Sequence, residues 1–298
     1  MPAQVRSDDV YPSRVDGESR FLPRRDPVIY GTSGPLSPVQ IAQYERAGYL
    51  LLPEFLAQDE VTPLQQEALR LRADPAITAL EETIREPGSD TIRSVFRVHE
   101  LSPLVAKLVR NGRVLAIVQQ LLGGDVYVHQ SRVNYKPAFR GREFYWHSDF
   151  ETWHIEDGLP RMRALSLAVN LTDNDAFNGP LMVVPESHRT YVSCVGETPA
   201  DHYKQSLRVQ KYGVPDDDSL RRLVEYGGIA APTGPAGSIL LFDCNLMHGS
   251  GSNLSPKPRT NLFVVYNSVN NAAVEPFGNI PRRPSFIASQ HFDPVQPE

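Results

Sequence analysis

The sequence predicts a mainly β fold with flanking helices (α+β), in which short strands form a sandwich or barrel. Helical patterns with clear start and stop signals are confined to the first 124 residues. After residue 124, short apolar and partly alternating segments recur, separated by turns that contain proline or glycine. The composition fits a globular protein with a substantial core, since 41% of the 298 residues are hydrophobic and 22% are charged.

The first 36 residues are rich in proline, arginine, aspartate and serine, which is typical of an extended arm with few core positions. Three aromatic residues within it, Tyr11, Phe21 and Tyr30, are candidates for pinning this arm to the body of the protein. We therefore do not assign the arm as disordered.

Three helical regions and one short apolar segment are predicted next. In "SPVQIAQYERAG", Ser37 is a helix cap, Gln40 completes a capping box and Gly48 ends the helix. "YLLLPEFL" then predicts a short strand or a buried turn. "QDEVTPLQQEALRLRA" predicts a second helix with Asp59 as its cap, and "SPLVAKLVRNGRVLAIVQQLLGG" predicts a third helical region that breaks near Asn111.

The predicted strands follow residue 124 as five apolar segments. They are "DVYVHQSRVNYKP", "RALSLAVNLTD", "GPLMVVPESH", "GSILLFDCNLMHGSG" and "RTNLFVVYNSVN". Residues 190–230, between the third and fourth of these segments, are polar and weakly patterned, and we expect a long excursion or a lid there.

Polar side chains alternate along the first of these strands. Gln130, Arg132, Asn134 and Lys136 share parity, so on a regular strand they lie on one face. This face could line a polar cavity, or it could lie in solvent while the opposite face packs in the core. The pattern alone does not decide between the two.

Charge and cysteine content exclude several classes of function. The net charge of -5 and the absence of a basic stripe argue against nucleic-acid binding. No apolar run approaches the ~20 residues that cross a bilayer, and the N-terminus lacks a signal-peptide pattern, so no membrane association is expected. The two cysteines, Cys194 and Cys244, have no disulfide-framework spacing, which favours a reducing, cytoplasmic compartment.

A candidate metal site comes from two separate parts of the sequence. His147 and Asp149 are two residues apart, and on a strand such residues point to the same face. His248, which follows an apolar strand, is the best candidate for a third ligand. Two histidines and one carboxylate leave half of an octahedral ion open, which is the pattern of non-haem Fe(II) oxygenases. Eleven residues later, Arg259 is placed to bind a carboxylate of a cosubstrate.

The remaining histidines are weaker candidates. His154 lies seven residues after His147, and we interpret it as lining the pocket or bonding a neighbour. His188 is expected to cap a turn. The others have no partner pattern and are interpreted as ordinary surface or core histidines: His99, His129, His202 and His291.

The segment "FYWHSDFETWHIEDGLPRMR" combines acids with both tryptophans of the chain, Trp146 and Trp153. Aromatic side chains favour burial, whereas unpaired acids resist it, so their concentration in one segment requires a specific environment. We interpret this segment as one wall of the iron site and of a substrate pocket over it.

Several motifs together resemble the phytanoyl-CoA dioxygenase superfamily of Fe(II)- and 2-oxoglutarate-dependent oxygenases. They are "QIAQYERAGYLLLPEFL", the pair His147 and Asp149, "NGPLMVVPESH", and His248 with Arg259. Within this superfamily "DVYPSR", "NYKPAF" and "FYWHSDFETWHIEDGLPRMR" are similar to the ectoine hydroxylase family, and this resemblance spans nearly the whole chain. "PESH" departs from the Pro-Gly-Ser-His that is frequent in the superfamily, and this departure concerns the local turn rather than the chemistry.

The resemblance implies a double-stranded β-helix, or jelly-roll, core of the cupin-like type in one domain that spans residues 1–298. Its expected parts are an N-terminal arm (1–36), a helical flank (37–124), the jelly-roll core (125–275) and a C-terminal tail (276–298). It implies hydroxylation of ectoine to 5-hydroxyectoine with Fe(II), 2-oxoglutarate and O2, and with release of succinate and CO2. Ectoine would be the partner, with no nucleic acid, no membrane, and a homodimer as one option.

The resemblance also implies the roles of individual residues. The iron ligands and catalytic centre are His147, Asp149 and His248. The residues expected to bind 2-oxoglutarate are Lys136, Asn134, Phe144 and Arg259. The residues expected to contact ectoine are Gln130, Thr152, Trp153 and Phe263.

Two alternatives remain open from the sequence. The chain could be a related hydroxylase that acts on another small polar amino-acid derivative, such as proline, because the iron and cosubstrate residues would be the same. It could also be a cupin-like binding protein that holds a metal without turnover. A structural zinc protein is excluded, since two cysteines cannot form a cysteine-rich cage.

Overall fold

Antiparallel β-sheets form the framework of the computed structural model, which describes residues 8–15, 17–199, 202–207 and 212–298. The strands are β1 (Phe21–Pro23), β2 (Tyr49–Leu52), β3 (Thr83–Arg85), β4 (Ile92–Phe96), β5 (Val126–Lys136), β6 (Phe144–His147), β7 (Ala164–Asn170), β8 (Leu181–Val183), β9 (Thr190–Val192), β10 (Ile239–Asp243), β11 (His248–Ser250) and β12 (Arg259–Ser268). The large sheet has the order β2-β10-β7-β12-β5-β4-β3, the small sheet has the order β6-β11-β8, and β1 pairs with β9.

Most helices precede the long strands. They are α1 (Pro38–Ala47), α2 (Gln58–Ala73), α3 (Pro75–Thr78), α4 (Val98–Leu101), α5 (Pro103–Val109), α6 (Gly112–Leu122), α7 (Asp149–Thr152), α8 (His202–Ser206) and α9 (Asp217–Gly227). A π-helix (Trp153–Asp157) continues directly from α7.

The two faces of the large sheet are covered by different partners. Leucine, valine and isoleucine side chains of α1, α2, α5 and α6 pack on one face and form the main core with residues of β5, β7, β10 and β12. On the other face, Leu181 and Val183 of the small sheet pack against Phe242 and Phe263 of the large sheet. This arrangement confirms the predicted α+β fold with a jelly-roll core.

The register of β5 against β12 explains which way the polar side chains from Gln130 to Lys136 point. Arg259 pairs with Lys136, and the register continues to Val265 opposite Gln130, where it shifts by one residue at His129. Val133 and Tyr135 lie in the main core. Their even-numbered neighbours therefore face the interior between the two sheets, so the cavity alternative is confirmed.

The helix boundaries follow local sequence signals with one exception. Ser37 and Gln40 form the predicted capping box of α1, and Gly48 ends this helix with a φ of 80°. For α2, the predicted cap at Asp59 is wrong, because the cap position is Ala57 and Asp59 lies inside the first turn. The Glu60 carboxylate accepts the Ala57 N–H at 2.9 Å instead.

The flank of residues 37–124 contributes more than helices. The strands β3 and β4 were not predicted, yet they extend the large sheet beyond β5, and β2 closes the opposite edge next to β10. All five residues of β4 are buried, which removes the alternation by which a strand is recognised.

The N-terminal arm is attached along its described length. Tyr11 is fully buried, and its hydroxyl donates to the Asp26 carboxylate at 2.7 Å. Phe21 pairs with Val192 in the β1–β9 ladder. Tyr30 lies under the guanidinium of Arg163, 4.4 Å from Cζ to the ring centroid. All three aromatic residues therefore attach the arm to the body of the protein, as predicted.

The polar stretch 190–230 contains β9, α8 and α9. Part of the lid prediction falls on residues 200–201 and 208–211, which lie outside the described residues. The C-terminal tail follows the strands closely, since Ser289 N–H donates to His129 O at 2.8 Å and Val295 N–H donates to Val126 O at 2.8 Å.

In the described part of the chain no helix is both long and apolar enough to cross a membrane. Cys194 and Cys244 are both buried and carry free thiols.

Candidate active site

The small sheet brings two distant histidines together. His147 ends β6, His248 begins β11, and these two residues are direct partners in the antiparallel ladder. Asp149 was expected on the same strand as His147, but it is the first residue of α7. Because Ser148 between them is extended, with φ -103° and ψ 128°, the side chains at 147 and 149 still converge.

The three side chains form a compact buried cluster. His147 Nε2 lies 3.7 Å from Asp149 Oδ1, and His248 Nε2 lies 3.9 Å from Asp149 Oδ2. One ligand atom from each residue lies within 4.8 Å of the others. Two imidazoles and one carboxylate at this spacing can bind one divalent ion on a single face.

Hydrogen bonds orient the ligand atoms toward the centre. His147 Nδ1 is 2.7 Å from Tyr145 O, and His248 Nδ1 is 2.9 Å from Leu246 O, so each Nδ1 carries the proton and each Nε2 is free to bind metal. Ser166 Oγ donates to Asp149 Oδ2 at 3.2 Å, which holds the carboxylate.

The protonation states suit a metal. Burial, with His248 as a second cause, lowers the pKa of His147 to about 3, so its imidazole is neutral. Burial would raise the pKa of Asp149, but the neighbouring His248, His147 and Arg132 outweigh burial and lower this pKa. A neutral imidazole and an ionised carboxylate are the forms that bind metal, so the donor set fits a ferrous ion.

A first cavity, which we call the cation cavity, begins at the histidine pair and ends at the carboxyl end of β5. Its lining residues include Arg93, Asn134, Lys136, Phe144, His147, His248, Ser250, Arg259 and Phe263. The four residues predicted to bind 2-oxoglutarate all line this cavity.

Among the described residues, Arg259 has no counterion of the kind that a buried cation requires. It is 2% exposed, and its Nε and Nη1 atoms have no hydrogen-bond partner among the described residues. Burial and the neighbouring Arg93 lower the pKa of Arg259 to about 10, so it stays protonated at neutral pH. A buried, unpaired guanidinium is costly unless an anion binds it, and the carboxylate of a small acid fits this requirement.

Lys136 adds a second basic group beside Arg259. Its Nζ donates to Ser250 Oγ at 2.8 Å and to Gly251 O. Burial, followed by the charges of Arg259 and Arg93, lowers the pKa of Lys136 to about 6. Three basic side chains therefore share one end of the cation cavity, where a bound anion would stabilise all of them.

A second cavity, which we call the tryptophan cavity, adjoins the cation cavity at the metal cluster and shares Arg132, Asn134, Phe144 and His147 with it. It is lined by Phe96, Gln130, Arg132, His147, Asp149, Thr152, Trp153, Leu207 and Arg283, among others. Gln130, Thr152 and Trp153 were predicted to contact substrate and all line this cavity. Phe263 was predicted with them but lines the cation cavity instead. Thr152 Oγ1 is buried with no partner among the described residues, so it is available to a ligand.

Sequence reasoning did not select Arg132, although it is central to both cavities. Its guanidinium lies 4.9 Å from the Phe263 ring and donates to Gln130 Oε1. Its parity with Gln130, Asn134 and Lys136 was the signal that could have identified it. Arg93 and Arg283 were also missed, and neither has a comparable local signal.

Three of the other histidines have structural partners. His154 bonds Leu159 O and Asp9 Oδ1 at 2.7 and 2.9 Å, so it is not a metal ligand. His129 Nε2 lies 3.0 Å from Asp157 Oδ2 in the core. His188 is buried within a short 3-10 turn, with Nε2 3.1 Å from Glu45 O.

Comparisons with known proteins agree with this geometry. The family model described as Phytanoyl-CoA dioxygenase (PhyH) matches residues 44–261. The ectoine dioxygenase of Bordetella parapertussis is 55% identical over 300 residues, which cover 99% of this chain and 96% of that protein. The ectoine dioxygenase of Sphingopyxis alaskensis is 53% identical over 283 residues, which cover 94% of this chain and 92% of that protein.

Solved structures give the same result. The crystal structure of EctD from S. alaskensis with 2-oxoglutarate and 5-hydroxyectoine superposes with a TM-score of 0.89 at 47% identity, covering 97% of this chain and 98% of that one. The structure of EctD from the same organism with bound Fe gives a TM-score of 0.88 over the same shares of the two chains.

Proposed function

The chain belongs to the phytanoyl-CoA dioxygenase family, and from this premise we propose that it hydroxylates ectoine to 5-hydroxyectoine. In this reaction 2-oxoglutarate and O2 are consumed, one oxygen atom enters a ring C–H bond of ectoine, and the other enters succinate as CO2 leaves. The observation that carries the proposal is the buried cluster of His147, Asp149 and His248 between a cation-lined cavity and a tryptophan-lined one. The ectoine dioxygenases that match nearly the full chain support the choice of substrate.

The proposed iron ligands are His147, Asp149 and His248. Bound Fe(II) would supply the activation of O2, coupled to the oxidative decarboxylation of 2-oxoglutarate. The chain contributes three ligands and leaves the remaining coordination positions to small molecules. The hydrogen bonds of His147 to Tyr145 O and of His248 to Leu246 O fix the imidazoles before metal binds.

The proposed role of the cation cavity is to bind and orient 2-oxoglutarate. Arg259 would pair with its distal carboxylate, and Lys136 would add a second charge from the neighbouring strand. The free Nε and Nη1 atoms of Arg259 support this role, as does the fixed pairing of Arg259 with Lys136 in the β5–β12 ladder. Asn134 and Phe144 would complete this pocket.

The proposed role of the tryptophan cavity is to hold ectoine, a small zwitterion with a delocalised amidinium ring. Trp153 offers an aromatic face to that cation, and Gln130 and Thr152 offer hydrogen bonds. Arg132 makes no ion pair in the described part of the chain and is the natural partner for the carboxylate of the substrate. Phe263, whose ring lies under the Arg132 guanidinium, would shape the pocket from the side of the cation cavity.

Mass spectrometry of ectoine after incubation with protein, Fe(II), 2-oxoglutarate and air tests the proposal directly. We expect a mass gain of one oxygen atom and one succinate for each product molecule, both lost when any component is omitted. Parallel reactions with proline distinguish a hydroxylase of another amino-acid derivative. Metal and ligand binding without O2 consumption would indicate a binding protein and would overturn the proposal.

The assembly and location of the protein also remain proposals. We expect a cytoplasmic enzyme that needs neither nucleic acid nor membrane, with a homodimer as one option for its assembly. Light scattering coupled to size-exclusion chromatography would measure the mass of the particle in solution.

A further inference from the structure

One wall of the tryptophan cavity is a short irregular segment, residues 149–157, which comprises α7 and the π-helix. We call it the substrate segment. Its inner side presents Asp149, Thr152 and Trp153 to the cavity. A π-helix is rare and occurs mostly as a single turn, frequently at a functional site. The residues that cover its outer side are therefore relevant to how substrate is held.

The N-terminal arm covers that outer side with a run of closely spaced contacts. Asp9 Oδ1 is 2.9 Å from His154 Nε2. The Tyr11 ring meets the Phe150 ring edge to face, with centroids 5.3 Å apart.

Ser13 lies further along the arm and contacts the same segment. Its Oγ donates to Glu151 Oε1 at 2.6 Å and accepts the Cys194 N–H at 2.8 Å. The arm thus contacts the substrate segment at successive points, all within the described residues.

Arg14 makes the strongest of these contacts. Its Nε and Nη2 donate to the two oxygens of Glu151 at 3.1 and 3.0 Å, which is a bidentate pair. The same Nη2 lies 2.6 Å from Glu156 Oε1. The three side chains are 4%, 1% and 2% exposed, so these charges compensate one another in a buried cluster. Arg283 adds to the compensation of Glu156, since its Nε lies 3.5 Å from Glu156 Oε2.

The two glutamates lie on either side of Thr152 and Trp153 in the sequence. Glu151 immediately precedes Thr152, and Glu156 lies three residues beyond Trp153. One guanidinium that binds both carboxylates therefore fixes the segment on both sides of the substrate contacts. The planar guanidinium of arginine can bind both carboxylates at once, whereas the single ammonium group of a lysine cannot reach the same set of acceptors.

Two further parts of the chain rest against this ion cluster. Arg14 Nη1 donates to Thr198 Oγ1 at 2.5 Å. Gly213 has a φ of +68°, and a Cβ atom there would lie 2.2 Å from Glu151 Oε2. Leu207, which lies between them in the sequence, lines the tryptophan cavity. The ion cluster thus contacts the chain at two points that lie, in the sequence, on either side of a residue of the tryptophan cavity.

We propose that Arg14 is a positioning residue for the substrate, because it holds the substrate segment in the position that directs Thr152 and Trp153 into the tryptophan cavity. This inference rests on the proposed function and adds that the N-terminal arm sets the affinity for ectoine and the coupling of the reaction. Arg14 is not among the residues that line the cation cavity, so we expect the shape of that cavity to be retained without it. Loss of Arg14 therefore affects ectoine and leaves 2-oxoglutarate binding unchanged.

The test compares Arg14→Lys and Arg14→Met with the parent enzyme, each loaded with Fe(II). The Lys variant keeps a charge beside the buried glutamates and loses the fork, so it decides the question if the Met variant does not fold. Arg25→Met is the matched control, since Arg25 is an exposed arginine of the same arm. We measure KM for ectoine, KM for 2-oxoglutarate, and hydroxyectoine formed per succinate released.

We expect both Arg14 variants to raise KM for ectoine by about tenfold and to lower the product-to-succinate ratio, with KM for 2-oxoglutarate within about twofold. Arg25→Met should match the parent. Unchanged KM for ectoine and unchanged coupling in the folded variants would overturn the inference. If the parent itself forms no hydroxyectoine, the proposed function fails instead, so the two failures are distinguishable.

Tryptophan fluorescence supplies a second readout that does not depend on turnover. The chain contains only Trp146 and Trp153, so a Trp146→Phe background leaves Trp153 as the sole emitter. We expect Arg14→Lys in this background to shift the Trp153 emission, while Arg25→Met leaves it unchanged. Identical spectra from all three proteins would contradict a change in the position of the substrate segment.

Discussion

The two cavities that meet at the metal cluster are built in different ways. The cation cavity takes Lys136 and Arg259 from paired strands, whose relative position is fixed by the main-chain hydrogen bonds of the large sheet. The tryptophan cavity takes Thr152 and Trp153 from an irregular segment that side-chain ion pairs hold from outside. The comparison teaches that the geometry of the proposed 2-oxoglutarate site is secured by backbone pairing, while the geometry of the proposed ectoine site depends on remote side chains.

This difference fits what each cavity has to bind. A carboxylate requires a fixed, directional cation, and a strand residue supplies one at little cost in conformational entropy. A segment held by side chains can be altered without disturbing the sheet. The comparison therefore predicts that a change at a residue that lines only one cavity leaves binding in the other intact, and the following experiments test this prediction.

The largest effect is expected at a metal ligand, Asp149, which lines the tryptophan cavity. Asp149→Ala removes a ligand and should lower product formation on the order of a thousandfold while abolishing stoichiometric iron binding. Metal analysis of the purified protein and product assays measure the two effects. Asp59→Ala, an exposed carboxylate at the start of α2, is the control. Near-normal activity of Asp149→Ala would refute the ligand assignment.

Arg259→Met should raise KM for 2-oxoglutarate by about a hundredfold, because a buried charge-assisted pair is lost. KM for ectoine should change little, since Arg259 lines the cation cavity and not the tryptophan cavity. Steady-state kinetics with each substrate varied in turn provide the measurement, with the exposed Arg110 changed to Met as control. An equal rise in both KM values would contradict the proposal that the two cavities bind different molecules.

Trp153→Leu is the converse experiment in the tryptophan cavity. We expect KM for ectoine to rise by about tenfold through loss of the aromatic face, with KM for 2-oxoglutarate unchanged. Trp146→Leu is the matched control, because Trp146 lines neither cavity. A selective effect on 2-oxoglutarate instead would show that the roles of the two cavities are reversed.

Binding of 2-oxoglutarate should take up protons. The pKa of Lys136 is lowered to about 6 by burial and by Arg259 and Arg93, so at pH 8 its amine is neutral before the anion binds. A bound carboxylate raises this pKa toward the ordinary value of about 10.4, and the amine then takes up close to one proton. Calorimetry in buffers of different ionisation enthalpy measures this uptake. Lys136→Met should abolish it, and proton release on binding would contradict the assignment.

The smallest effect is expected outside both cavities. Glu186, the departure from Pro-Gly-Ser-His, has a φ of 69° in the left-handed region, so the glycine-type turn is retained with a strained residue. Glu186→Gly should raise the free energy of unfolding by about 0.5–1 kcal/mol and leave both KM values unchanged. Urea unfolding measures the change. A shift in either KM would mean that this turn communicates with a cavity.

Much of the architecture could be predicted where the signal is local. Ser37, Gln40 and Gly48 delimit α1 because capping is decided within a few residues of the helix end. The buried strand β4 was missed because neither of its faces is exposed to solvent, and the cap of α2 was misassigned by two residues because Glu60 competes with Asp59.

The sequence by itself determined the chemical types of the site, namely two histidines and a carboxylate for metal and a basic residue on the next strand, because residue type and strand periodicity are local properties. Only the tertiary structure decided that Phe263 lines the cation cavity, that a bulge at His129 shifts the register of β5, and that Arg14 reaches Glu151. These features depend on contacts between residues more than a hundred positions apart or on sheet register, and no short stretch of sequence encodes either.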